Sequence, residues 1–142
     1  MIRWSDALLV GIPEIDDQHR AFVSLVDRFQ DLSRTDPCDK TLRAILIDVM
    51  SYADAHFVAE ERHMRCAGYP RLIEHAIKHH AAATSIHTLL AQETGSVDQY
   101  RFLVNFLKAW LVDHIMGDDK AFGVWMERTR PMTVAAGLVE VA

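Results

Sequence analysis

The sequence predicts an all-α protein: an antiparallel, up-down four-helix bundle with an ordered N-terminal arm and a short C-terminal helix and tail. Three observations carry this. Apolar residues recur at three- and four-residue spacing in four long segments. No segment alternates apolar and polar residues as a half-buried strand does. Short, breaker-rich connections separate the segments, and short loops favour antiparallel neighbours.

The arm, Met1 to Ile15, contains Trp4, Gly11 and Pro13 and reads as ordered and extended. Asp16 is the expected N-cap of the first helix, because its carboxylate can accept backbone N–H bonds. His19, Phe22, Val23, Val26 and Phe29 then share one face, and Thr35-Asp36-Pro37 ends the segment. The second helix starts near Asp39 and places Leu42, Ile45, Leu46, Val49, Ala53, His56 and Glu60 on a stripe. Gly68-Tyr69-Pro70 stops it, with Pro70 suited to opening the third helix. That helix carries Ile73, His75, Ile77, His79, Ile86 and Leu90 and is expected to stop around Gly95. Ser96 with Gln99 three residues on forms a capping-box pattern for the fourth. Its stripe is Phe102, Leu103, Phe106, Leu107, Trp110 and His114, interrupted at Gly117. Lys120 to Arg128 reads as a short further helix. The chain thus divides as one domain over residues 1–142: arm 1–15, bundle and short helix 16–128, tail 129–142.

With 142 residues, half of them hydrophobic and a quarter charged, the chain can bury a sizeable core. The formal net charge of −5 argues against a general binder of nucleic acid or anionic membrane. No apolar run reaches the ~20 residues of a membrane span, and the N-terminus lacks a signal-peptide pattern. Cys38 and Cys66, without a CxxC spacing, argue against a disulfide scaffold and make the cytoplasm the default compartment. A cytoplasmic monomer is the expectation.

The chemistry lies in eight histidines, five of which fall on the inward stripes. These are His19, then His56 with Glu60, His75 with His79, and His114 with Asp118 or Asp119. Residues four apart share a helix face, so each pair can reach one centre. Imidazole suits iron, zinc, copper and nickel, and a carboxylate can bridge two ions. Burying such groups without partners is costly, and two adjacent metal ions give the set a rationale that packing does not. His63, His80 and His87 fall off this pattern and read as ordinary helix or surface residues. On an ideal helix Asp119 lies about 140° around from His114, so spacing alone leaves the choice between Asp118 and Asp119 open.

Taken in order, Ile15-Asp16-Asp17-Gln18-His19, His56-Phe57-Val58-Ala59-Glu60-Glu61 with Met64 and Tyr69-Pro70, His75-Ala76-Ile77-Lys78-His79, and His114-Ile115-Met116-Gly117-Asp118-Asp119-Lys120 resemble the hemerythrin family. The likeness runs from about Trp4 to Phe122, and the length is similar to that of the single-domain bacterial members. It implies two iron ions in an oxo- or hydroxo-bridged di-iron centre that binds dioxygen reversibly, for transport, storage or delivery. By the same resemblance His75, His79 and His114 hold one iron, His19 and His56 the other, and Glu60 and Asp119 bridge. The family pattern thereby selects Asp119, with a helix that is locally widened or ends near Gly117 to bring it round. Phe22, Leu111 and Ile115 would line the dioxygen pocket, with Trp110 nearby.

Two other functions stay in view. One is an oxygen or redox sensor acting through a separate signalling partner; the other is a di-iron oxidase, peroxidase-like or nitric-oxide-reactive enzyme. The histidine-rich, carboxylate-poor set favours binding over oxygen activation, so a non-enzymatic role is expected. Dioxygen itself, and an oxygen-consuming enzyme as client, are the partners this reading implies.

Overall fold

A computed structural model describes residues 4–35, 37–92 and 95–130. The helices are α1 (Pro13–Thr35), α2 (Asp39–Ala67), α3 (Leu72–Leu90), α4 (Val97–His114) and α5 (Lys120–Thr129), with a π-helical segment, Ile115–Asp119, joining α4 to α5. A single 3-10 turn, Asp6–Leu8, lies in the arm. The first four helices form the predicted bundle: α1 packs on α2 and α4, and α3 packs on the same two. No described helix is long and apolar enough to cross a membrane.

The period of the apolar stripes is what closes the bundle. Phe22, Val23, Val26 and Phe29 of α1 meet Leu42, Leu46, Val49 and Ala53 of α2 and Leu103, Leu107 and Leu111 of α4 in one buried core. Each such valine, leucine or phenylalanine contributes about 1.5–3 kcal/mol by leaving water. Not every expected stripe position turns inward. Ile73 and Ile77 of α3 are exposed, and so are Phe102 and Phe106 of α4, whose core is carried by Leu103 and Leu107 instead.

The helix ends are held by chemistry that differs in places from the expectation. α1 begins at Pro13, three residues before Asp16, so Asp16 is not its N-cap. The Asp16 carboxylate reaches back and accepts the N–H groups of Val10 (2.7 Å) and Gly11 (3.1 Å), which folds the arm onto the start of the helix. α2 ends at Gly68, whose φ of 73° is the left-handed conformation glycine adopts without cost. α3 starts at Leu72, two residues beyond Pro70, and ends at Leu90, short of Gly95. The Ser96–Gln99 capping box forms as expected. At this pole Arg43 donates to the carbonyls of Leu90 and Gln92, and Arg101 to that of Ser33, satisfying the last turns of α3 and α1. The expected tail begins with Thr129 closing α5; residues 131–142 lie outside the described ones.

Cys38 and Cys66 stand near opposite ends of α2, about 40 Å apart by the helical rise. They cannot bridge one another.

Candidate metal centre

The capped pole leaves the other half of the bundle for polar side chains. There α1 contributes His19, α2 His56 and Glu60, α3 His75 and His79, and the end of α4 His114. All are buried, Glu60 and His19 completely. Asp119 joins them because the turn carrying it is π-helical. In a π-helix residues five apart are bonded partners, so Asp119 stands over His114 where an α-helix would have swung it away.

Two groups of ligand atoms result, one of Glu60, His75, His79, His114 and Asp119, the other of His19, His56, Glu60 and Asp119; within each, the atoms lie no more than 4.8 Å apart. The carboxylates divide themselves between the groups. Glu60 turns Oε1 to His75 Nε2 (2.7 Å) and His79 Nε2 (3.1 Å), and Oε2 to His19 Nε2 (3.4 Å) and His56 Nε2 (3.5 Å). Asp119 turns Oδ1 to His75 Nε2 (2.9 Å) and His114 Nε2 (3.0 Å), and Oδ2 to His19 Nε2 (3.0 Å).

The electrostatics are those of a cation-binding cavity. Burial works to lower the His19 and His75 imidazoles, but contacts with Asp119 and Glu60 outweigh it and push both up to about 9. His56 is pushed down to about 4, chiefly by burial. Burial and Glu60 would raise Asp119, yet His114, His19 and His75 hold it at about 2. Glu60 is likewise held well below the usual range against its burial, by His19, His75 and His79. Without an ion, protons on buried imidazoles must balance two buried carboxylates.

Several of these atoms also lack hydrogen-bond partners among the described residues: Glu60 Oε2, both Asp119 oxygens and both His19 nitrogens. Their neighbours lie at ion-pair distance without hydrogen-bond alignment. A buried polar atom left so is costly. Cations within the two ligand groups would satisfy the carboxylate oxygens and His19 Nε2, though not His19 Nδ1, so the donor set fits metal ions.

Outer contacts fix how the imidazoles face inward. His56 Nδ1 donates to Gln18 Oε1 and His79 Nδ1 to Glu61 Oε2, each at 2.7 Å. With Nδ1 donating outward, each ring turns its Nε2 toward the cluster. Phe57 stacks on His79 with centroids 4.0 Å apart, and Trp110 on His114 at 4.4 Å. Gln18, Glu61 and Phe57 all lie inside the sequence motifs, but nothing in the sequence assigns them these contacts. The only signal was adjacency: Gln18 precedes His19, and Glu61 follows Glu60.

Phe22, Leu111 and Ile115 are buried, and the Phe22 ring lies edge-on to His56 with centroids 6.0 Å apart. The leftover histidines stay outside the cluster: His63 pairs with Glu14 at 2.8 Å, His80 is exposed, and the exposed His87 lies near Asp54.

The family profile described as the Hemerythrin HHE cation binding domain matches residues 10–125. The chain belongs to the hemerythrin family. It is similar to the bacteriohemerythrin of Clostridium acetobutylicum, 26% identical over 129 residues that cover 86% of this chain and 98% of that one. It is also similar to the bacteriohemerythrin of Stenotrophomonas maltophilia, 29% identical over 122 residues covering 86% and 79%. Its fold matches a wild-type hemerythrin crystal structure with a TM-score of 0.77 at 23% identity, over 87% of this chain and 96% of that one. As a member of that family the chain carries a cation-binding domain, and its buried histidine–carboxylate cluster is suited to a metal centre.

Proposed function

We propose that this hemerythrin binds dioxygen reversibly at a di-iron centre, as a cytoplasmic, non-enzymatic carrier, store or local supplier. One observation supports the reading above the rest: Glu60 and Asp119 each give one oxygen to a three-histidine group and the other to His19. That is the geometry two bridging carboxylates adopt between two metal ions. His75, His79 and His114 would hold one iron, and His19 and His56 the other. The His19–His56 group offers one imidazole fewer, and would so leave room there for dioxygen. Iron(II) supplies the electrons that make dioxygen binding reversible.

The protein's part is to orient, neutralise and keep dry. Gln18 and Glu61 fix two imidazoles as lone-pair donors. The two carboxylates balance only part of the charge of two ferrous ions. Such a histidine-rich, carboxylate-poor set favours reversible binding over oxidation of a substrate. Phe22, Leu111 and Ile115 would wall the open side with apolar surface, limiting the water and protons that promote irreversible oxidation.

The test is iron stoichiometry with visible absorption of the anaerobically reduced protein, before and after air and again after purging with argon. We expect about two irons per chain, by the two ligand groups, and a charge-transfer band that appears in air and fades under argon. Iron that oxidises at once and never returns dioxygen would overturn the reading in favour of oxidase or redox chemistry.

A further inference from the structure

The two ligand groups differ in more than the number of histidines. Behind His79 stands a carboxylate, Glu61, accepting from Nδ1 at 2.7 Å. Behind His56 stands a neutral amide, Gln18, at the same distance. His19 Nδ1 has no hydrogen-bond partner among the described residues. Behind His114, Asp118 Oδ2 lies 3.3 Å from Nδ1, but its Oδ1 is taken by Lys78 at 2.7 Å, which offsets most of that charge. Of the outer groups behind these four rings, Glu61 is thus the carboxylate with no lysine or arginine at ion-pair distance among the described residues, and it stands on the three-histidine side.

A carboxylate that accepts the Nδ1 proton draws the ring toward imidazolate and raises the donor strength of Nε2, whereas an amide only orients the ring. We propose that Glu61 and Gln18 are positioning residues that make the two metal positions unequal, the three-histidine position being the tighter and the first to fill. This rests on the di-metal reading of the same site. It adds an order of loading that the ligand list alone does not contain. It also gives the weaker, two-histidine position the neutral surroundings in which a ligand exchanges readily.

Cobalt(II) alone tests this without dioxygen chemistry. The metal-free chain is titrated anaerobically, and the visible bands of bound cobalt report occupancy and coordination. Wild type should bind two ions in separate phases, with His75→Ala abolishing the tight phase and His56→Ala the weak one. Glu61→Gln should weaken the tight phase about 10–100-fold, the usual effect of losing such an outer partner, and leave the weak phase unchanged as the control for folding. Glu61→Asp should restore part of the loss, and Gln18→Glu should strengthen the weak phase. Two ions binding with equal affinity in wild type, or a tight phase unmoved by Glu61→Gln, would overturn the proposal while leaving the di-metal site standing. Failure to bind a second ion at all would instead remove the di-metal reading on which it rests.

Discussion

The same substitution, glycine to alanine, should have opposite effects at two positions six residues apart. At Gly123 of α5 an added Cβ would lie 2.2 Å from the Val10 carbonyl oxygen and 2.9 Å from Val10 Cγ1. Ordinary contact begins near 3.4 Å, so the Val10 backbone must retreat by about 1 Å. Val10 cannot retreat freely, because its N–H is bound to Asp16 at 2.7 Å and the neighbouring Ala7 carbonyl accepts from Lys120 Nζ at 2.7 Å. Overpacking costs about 1–3 kcal/mol, and a weakened hydrogen bond to the buried carboxylate adds about 1 kcal/mol, giving roughly 2–4 kcal/mol. At Gly117 the added Cβ meets nothing within 4 Å. There alanine should gain about 0.5–1 kcal/mol by restricting the unfolded chain.

Thermal unfolding of the metal-free proteins by far-ultraviolet circular dichroism separates the two. Chelator is needed throughout, because any bound metal adds its own stabilisation. For a chain of this size, at about 3 °C per kcal/mol, Gly123→Ala should lower Tm by roughly 6–12 °C and Gly117→Ala raise it by roughly 2–3 °C. A Gly123→Ala protein melting within about 2 °C of wild type would show that the arm is not clamped between α1 and α5, and the argument from contact distance would fail.

Two further outcomes follow from the cluster itself. Asp119→Ala should lose at least one metal ion per chain, while Asp118→Ala keeps both with affinity reduced about tenfold; metal analysis after desalting decides, and the reverse pattern would make Asp118 the bridge. In the metal-free protein, His19 and His75 are raised from 6.5 to about 9, so their contribution is whole below pH 6.5 and is lost as pH rises through 9. Asp119, held at about 2, contributes above its ordinary value of 3.8 and fails as pH falls through 2, while the lowered His56 erodes stability between 6.5 and about 4. Urea unfolding across this range should therefore give a maximum near pH 6.5. Metal affinity should climb with pH up to about 9, because binding displaces the protons of His19 and His75.

The fold was legible because packing and period agree. Val26, Phe29, Leu42, Leu46 and Leu107 are core residues by spacing and by burial alike. Capping boxes are local, so Ser96 and Gln99 could be read directly. Asp16 shows where a local reading stops: it does satisfy backbone N–H groups, but those of the preceding arm, and only the folding back of Val10 and Gly11 reveals which. Phe102 and Phe106 fit a helical stripe as well as Leu103 and Leu107 do, since the four span a wide arc. Which part of that arc faces inward depends on where α1 and α3 lie against α4. The contacts of Gln18 with His56 and of Glu61 with His79 join residues 38 and 18 positions apart, so no periodicity could announce them.

The π-helical turn is the part of the site that spacing left open. In a regular α-helix only one of two consecutive aspartates can share a face with His114, and the four-residue spacing would choose Asp118. Widening the turn over Ile115–Asp119 assigns both. Asp119, five residues on, comes under Nε2 at 3.0 Å and spans the two ligand groups. Asp118, four residues on, stays beside Nδ1 at 3.3 Å and ties that edge to Lys78 of α3. One imidazole thus has a carboxylate at each of its nitrogens, both supplied by the next turn of its own chain. Gly117 lies midway through that turn, and a Cβ there would meet nothing within 4 Å. A local departure from the α-helical repeat is what lets adjacent residues serve the inside and the outside of the same centre.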